Sequence, residues 1–117
     1  MRGEIYFVEL INQYGGSVER GSRPVVVVSS EIGCRSASVV MVAPLTTKCK
    51  SLSCNVNVNW TCGWKPSQVL CNQLTTIPKT LLTECVGRLT PAEIDAVDDA
   101  ILISLGLIKK YRKEVQE

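Results

Sequence analysis

A chain of 117 residues, 45% of them hydrophobic and 21% charged, is sized for one domain spanning 1–117 and too short for two independent cores. The net charge of +2 argues against massive non-specific binding to polyanions, and no apolar run approaches the roughly 18 residues that a membrane span needs. The opening MRGEIYFVEL carries Glu4 and no small-residue cleavage site behind an apolar block, so it does not read as a secretory signal, and the expected location is the cytoplasm.

EIYFVEL, residues 4–10, opens the chain as a strand rich in β-branched and aromatic side chains. INQYGGSVERGS, residues 11–22, then runs for twelve residues between two strand signals. A hairpin uses about two to five, and loops of the greater length are lids, binding loops or disordered segments. This one leads to Arg23 and Pro24, set directly against the valines of PVVVVS (24–29), so an obligate cation is expected at the mouth of a buried strand. SVVMVAPL (38–45) is a continuous apolar run and reads as a further strand. Pro44 is expected to force a local break before TTKCKSLS (46–53), which combines hydroxyls with two lysines. Residues 20–50 hold Arg20, Arg23, Arg35, Lys48 and Lys50 against Glu31 alone, +5 − 1 = +4, a modest anion-facing segment.

CNVNVNW (54–60) alternates strictly, with Cys54, Val56, Val58 and Trp60 facing one way and Asn55, Asn57 and Asn59 forming a wet side. Trp60 therefore reads as core, while Trp64, beside a lysine, is open to stacking on a base. QVLC (68–71) and ECVGRL (84–89) complete a set of strands too numerous for a flat sheet of this size. The expected fold is mainly β with helices (α+β), a small closed or half-closed barrel. TPAEIDAVDDAILISLGL supplies its C-terminal helix: Thr90 as N-cap, Pro91 at the first helical position, and Glu93 to complete a capping box. Ile94, Val97, Ile101 and Leu105 recur on one face opposite Asp95, Asp98 and Asp99, and Gly106 is placed to end the helix. Residues 109–117 extend as a second short helix or fray, and the pattern leaves both open.

The six cysteines, at 34, 49, 54, 62, 71 and 85, include no CxxC pair, and the chain has no histidine. A disulfide framework belongs to short secreted chains and a zinc site would need scattered thiolates. Free thiols acting as small apolar fillers are the better reading, with no metal and no cofactor expected.

Taken in order, RGEIYFVEL, GSVERGSRPVVVVSS, VVMVAPLT, QVLCNQLTTIPKTLL, VGRLTPAEIDAVDDAI and ISLGL resemble the MazF/PemK family of toxin endoribonucleases from toxin–antitoxin systems. The resemblance runs from residue 2 to about 108; each piece alone is weak, and their ordered succession is the signal. It implies a compact SH3-like barrel, a homodimer, and metal-independent cleavage of single-stranded RNA at short motifs. It also implies a cognate antitoxin whose acidic disordered tail covers the RNA-binding surface. In the family the arginine of the RP pair and the threonine closing the VAPLT-type segment form the catalytic pair, and they match Arg23 and Thr46. The glutamine of the later segment, matched by Gln73, lies near the RNA path, as do loop residues before the arginine, here Ser17 and Arg20. Thr47 and Lys48, which follow Thr46, join them as RNA-binding candidates. Some members place a catalytic glutamate five residues before the arginine, where this chain has Val18; Glu19, one place further on, is the catalytic candidate here.

The residue types suit that chemistry. RNA carries its own nucleophile in the 2′-hydroxyl, so a protein need only position the attack and stabilise charge on the phosphorane oxygens. An arginine offers a planar fork matched to phosphate, and a threonine hydroxyl can donate to a non-bridging oxygen. With no histidine, the usual group for proton transfer near neutral pH is missing, and the general base is unassigned. Two other classes remain open on the sequence: a non-enzymatic toxin that binds a protein target such as DNA gyrase, and a catalytically inactive nucleic-acid-binding barrel.

Overall fold

A computed structural model describes residues 1–9, 22–48, 52, 54–59 and 66–108. Its elements are β1 (Glu4–Glu9), β2 (Ser22–Val27), α1 (Glu31–Ser36), β3 (Val39–Thr46), β4 (Asn55–Val58), β5 (Ser67–Leu70), β6 (Thr75–Pro78), a 3-10 turn (Lys79–Leu81), β7 (Cys85–Arg88) and α2 (Pro91–Ser104). All strand pairs are antiparallel, in the order β4-β5-β3-β2-β1-β7, and β6 joins β3 off that path. The sheet curls into a half-barrel with α2 against β4. Residues 11–21 of the twelve-residue loop, Trp60, Trp64 and the tail 109–117 lie outside the described residues, as do Cys49 and Cys62.

The valine run builds both faces of this sheet by alternation. Val26 and Val28 join Ile5, Ala43, Leu45, Val56, Val58, Val69 and Cys71 on the face that packs against Val97 and Ala100 of α2. Val25 and Val27 join Tyr6, Val8, Val40, Val42 and Ile77 on the other face, with Cys34 of α1. Four consecutive buried valines are thus the expected pattern for a central strand covered on both sides, each stabilising the fold by about 1.5–3 kcal/mol.

Pro44 does not break the chain: β3 runs through it to Thr46. Val28 N–H donates to Met41 C=O (2.9 Å), so odd-numbered residues of β3 turn their backbone groups toward β2 and even-numbered ones away from it. On that far edge β6 pairs with residues 39–42 and β5 with 45 and 46, leaving residue 44 in the gap between them. The missing N–H of proline falls where no partner strand reaches.

α2 has the expected capping box: Thr90 Oγ1 accepts from Glu93 N–H (3.2 Å) and Glu93 Oε1 accepts from Thr90 N–H (2.9 Å). The buried stripe is corrected at its end. Val97 and Ala100, flanked by Ile94 and Ile101, make the contact, while Leu105 is 58% exposed. The helix stops at Ser104, and Gly106 (φ +70°) turns the chain in a Schellman motif, with Leu107 N–H on Leu102 C=O and Gly106 N–H on Ile103 C=O.

α1 and β6 are additions to the sequence reading. α1 is capped by Ser30, whose hydroxyl accepts from Gly33 N–H (3.1 Å), and buries only Cys34. β6 buries only Ile77.

Candidate active site

β2 begins two residues earlier than expected, so Arg23 lies inside a strand, directly opposite Val8 of β1. On its other side the β2–β3 ladder pairs Val27 with Val42, Val26 with Ala43 and Val25 with Pro44. Two further steps along this register bring Arg23 opposite Thr46. The step between them would pair Pro24 with Leu45, and Pro24 has no N–H to give, so the ladder ends there. Arg23 and Thr46 therefore stand at the open end of a strand pair, on one face. The proline thus stands where the ladder stops, and the arginine beyond it is exposed.

Thr46 also pairs across its other edge with Gln68 of β5, and Gln68 in turn with Asn57 of β4. Val8, Arg23, Thr46, Gln68 and Asn57 thus form one transverse row on the face shared with Val25, Val27 and Val42. Arg23 is exposed and Thr46 half-buried. Thr46 Oγ1 accepts from Lys48 N–H at 3.1 Å, which leaves its O–H to donate.

None of the five residues in the row is a carboxylate or a thiol. Tyr6, two positions along β1 from Val8, is no base either. Its hydroxyl donates to Glu4 Oε1 (3.3 Å), and burial, reinforced by the negative charges of Glu4 and Cys85, pushes its pKa up to about 12. Burial alone would raise the pKa of Glu4, but hydrogen bonds from the N-terminal ammonium and Cys85 and the charge of Arg88 outweigh this and hold it below the usual value. What the row offers is hydrogen-bond donors and one fixed positive charge, an anion cradle.

The other sequence candidates fall in three places. Thr47 and Lys48 are exposed immediately after Thr46. Gln73 is exposed in the turn between β5 and β6, beside the middle of β3, about three residues or ~10 Å along the strand from Thr46. Ser17, Glu19 and Arg20 lie outside the described residues. Gln68 was missed. Its signal was polarity at an alternating position, a glutamine between Ser67 and Val69 in a strand otherwise bound for the core.

The four described cysteines, Cys34, Cys54, Cys71 and Cys85, are free thiols. Among the described residues no three of His, Cys, Asp and Glu gather as metal ligands, and no helix is long and apolar enough to cross a membrane.

A curled half-barrel capped by a C-terminal helix is the architecture of a class of small toxin folds. Residues 1–105 match the family of PemK-like, MazF-like toxins of type II toxin–antitoxin systems, and the chain belongs to that family. Endoribonuclease EndoA of Bacillus subtilis (strain 168) is 34% identical over 111 residues, covering 92% of this chain and 95% of the relative. Among solved structures, the Mycobacterium tuberculosis toxin MazF-mt6 superposes with a TM-score of 0.72 at 27% identity, over 88% of this chain and 96% of that one. A mycobacterial endoribonuclease in complex with its cognate antitoxin superposes with a TM-score of 0.78 at 25% identity, over 92% of this chain and 96% of that one.

Proposed function

We propose that this toxin is an endoribonuclease that cuts single-stranded RNA at short sequence motifs, with Arg23 and Thr46 as its catalytic pair. What supports the reading is the β2–β3 register: its last pair is Val25 with Pro44, and continued two residues further, past Pro24, it sets Arg23 level with Thr46. A phosphodiester seated between them receives the guanidinium fork on its non-bridging oxygens and a hydrogen bond from the Thr46 hydroxyl. The 2′-oxygen attacks the adjacent phosphorus, the bond to the 5′-oxygen breaks and that oxygen takes a proton from solvent water, and the products end in a 2′,3′-cyclic phosphate and a 5′-hydroxyl. The developing charge is met by fixed donors, so the step is metal-independent. Glu19 is the candidate for taking the 2′-hydroxyl proton. Ser17, Arg20, Thr47, Lys48 and Gln73 are the candidates for contacting the RNA on either side of the cut.

The mycobacterial relative solved with its antitoxin supports a cognate antitoxin here, its acidic disordered tail lying over the same donors. The toxin works in the cytoplasm, where its RNA substrate is found. It acts as a homodimer, favoured by the exposed Val39 and Met41 of β3, which extend the α2 face of the sheet beyond the helix. Sedimentation showing only monomer at micromolar concentration would remove the dimer.

The deciding experiment is digestion of a long RNA by the purified chain in excess chelator, with mapping of cut sites and end groups. Cuts ending in cyclic phosphate, absent with Arg23→Ala, are expected. No cutting by the folded parent protein would overturn the proposal.

A further inference from the structure

Beyond Thr46 the transverse row continues into a chain of side-chain amides. Cys54 Sγ donates to Asn55 Oδ1 (3.7 Å), Asn55 Nδ2 to Gln68 Oε1 (3.2 Å), and Gln68 Nε2 to Asn57 Oδ1 (2.8 Å). Every step runs in one direction, so the chain ends on Asn57 Nδ2, a pair of N–H donors on an exposed residue. Gln68 itself is buried, 6% exposed, and an apolar side chain there would bury more surface without needing partners. What a glutamine adds is a fixed orientation for two neighbouring asparagines.

We propose that this amide ladder sets sequence preference: Asn57 donates to an acceptor on a base flanking the scissile phosphate, and Gln68 is the positioning residue that holds the Asn57 amide. The inference rests on the endoribonuclease reading above. Asn57 lies two strand spacings from Thr46, ~10 Å, on the same face, a reach that suits a nucleotide next to the cut rather than the phosphate itself. Single-stranded RNA is read through the edges of splayed bases, and an amide locked with its donors outward selects edges that accept. Guanine O6 and uracil O4 qualify, while the amino groups that adenine and cytosine carry at the matching positions do not.

The test maps the cut sites of one long RNA with the parent protein, Asn57→Asp and Gln68→Leu. Asn57→Asp keeps an oxygen for Gln68 Nε2 and replaces the outward donors with an acceptor. Preference at one flanking position is expected to move from keto toward amino bases by about tenfold, with the other positions of the motif unchanged. Gln68→Leu should relax preference at that same position without reversing it. If Gln68→Leu fails to fold, Asn57→Asp alone decides, because Asn57 is exposed and buries nothing that the change disturbs. An unchanged motif overturns the inference. So does a uniform fall in rate with preference intact, or loss of all cutting, since either places Asn57 in the rate machinery. If the parent protein cuts no RNA, the endoribonuclease reading has failed first, an outcome distinct from these.

Discussion

Lys48 N–H donates to Thr46 Oγ1 at 3.1 Å, which orients the threonine side chain with one lone pair occupied and its proton available. The side chain is thereby oriented before any substrate arrives, and a preoriented donor stabilises a transition state with little reorganisation cost. Thr46→Ser keeps both the Lys48 contact and the hydroxyl, and should cut a fluorogenic RNA–DNA chimera within a few-fold of the parent. Thr46→Val keeps the shape and loses the donor, at a cost of about 100- to 1,000-fold in rate. Equal rates for the two variants would remove Thr46 from the chemistry.

Arg23→Lys tests the other half of the cradle. It preserves charge but exchanges a planar fork for a point charge on a flexible stem, so the paired contact with phosphorane oxygens is lost. A fall of about 100- to 1,000-fold is expected, with thermal unfolding confirming an intact fold. The double variant with Thr46→Ala should be less impaired than the product of the two single effects, because both groups serve one charge. Activity of Arg23→Lys within a few-fold of the parent would make Arg23 a general attractor of RNA and move the chemistry to the loop before it.

The strands and the helix were legible because their alternation and capping signals are local. Val56 and Val58 bury while Asn57 and Asn59 stay exposed, as the period of two requires. Pro44 was misread because whether proline breaks a strand depends on which neighbour its missing N–H would have faced, a property of pairing and not of sequence. Gln68 was missed for the same reason: its meaning comes from Thr46 on one side and Asn57 on the other, residues 22 and 11 positions away. α1 was missed because at six residues it is too short to show a helical period.

Gly3 joins three parts of the fold. Its N–H donates to Val27 C=O (2.8 Å) and its C=O accepts from Leu89 N–H (2.9 Å), while its φ of +85° is one that other residues adopt only under strain. A Cβ here would lie 2.8 Å from Ile94 Cδ1 on α2. Gly3→Ala should therefore cost about 1–3 kcal/mol and lower the thermal midpoint by roughly 5–10 °C. Adding Ile94→Val removes the clashing methyl and should recover part of that loss, leaving the φ strain. A Gly3→Ala midpoint within a degree of the parent would contradict this account.

Cys71 should make the fold alkali-sensitive. The residue is wholly buried against α2, with its Sγ 3.9 Å from Val69 C=O and 4.0 Å from Val97 C=O. Burial, then the negative charges of Cys54 and Asp98, push the thiol from 9.0 up to about 11. The folded pKa lies above the unfolded one, so the stability tied to the protonated thiol is fully present below pH ~9 and is lost as pH rises toward ~11. Across that window the loss is on the order of 2 kcal/mol. Tyr6 carries a loss of the same sign, but it begins only at its ordinary value of 10.0 and runs to about 12. The N-terminal ammonium, raised from 8.0 because its contacts with Glu31 and Glu4 outweigh burial, adds a loss of the same sign from pH ~8 upward in both proteins, so the thiol is read as the difference between parent and variant from pH ~9 to ~10. Cys71→Ala will start lower at neutral pH, because it leaves a small cavity, and its thermal midpoint should decline less over that interval than the parent's. Parallel decline of the two proteins would show that the alkaline sensitivity has another source.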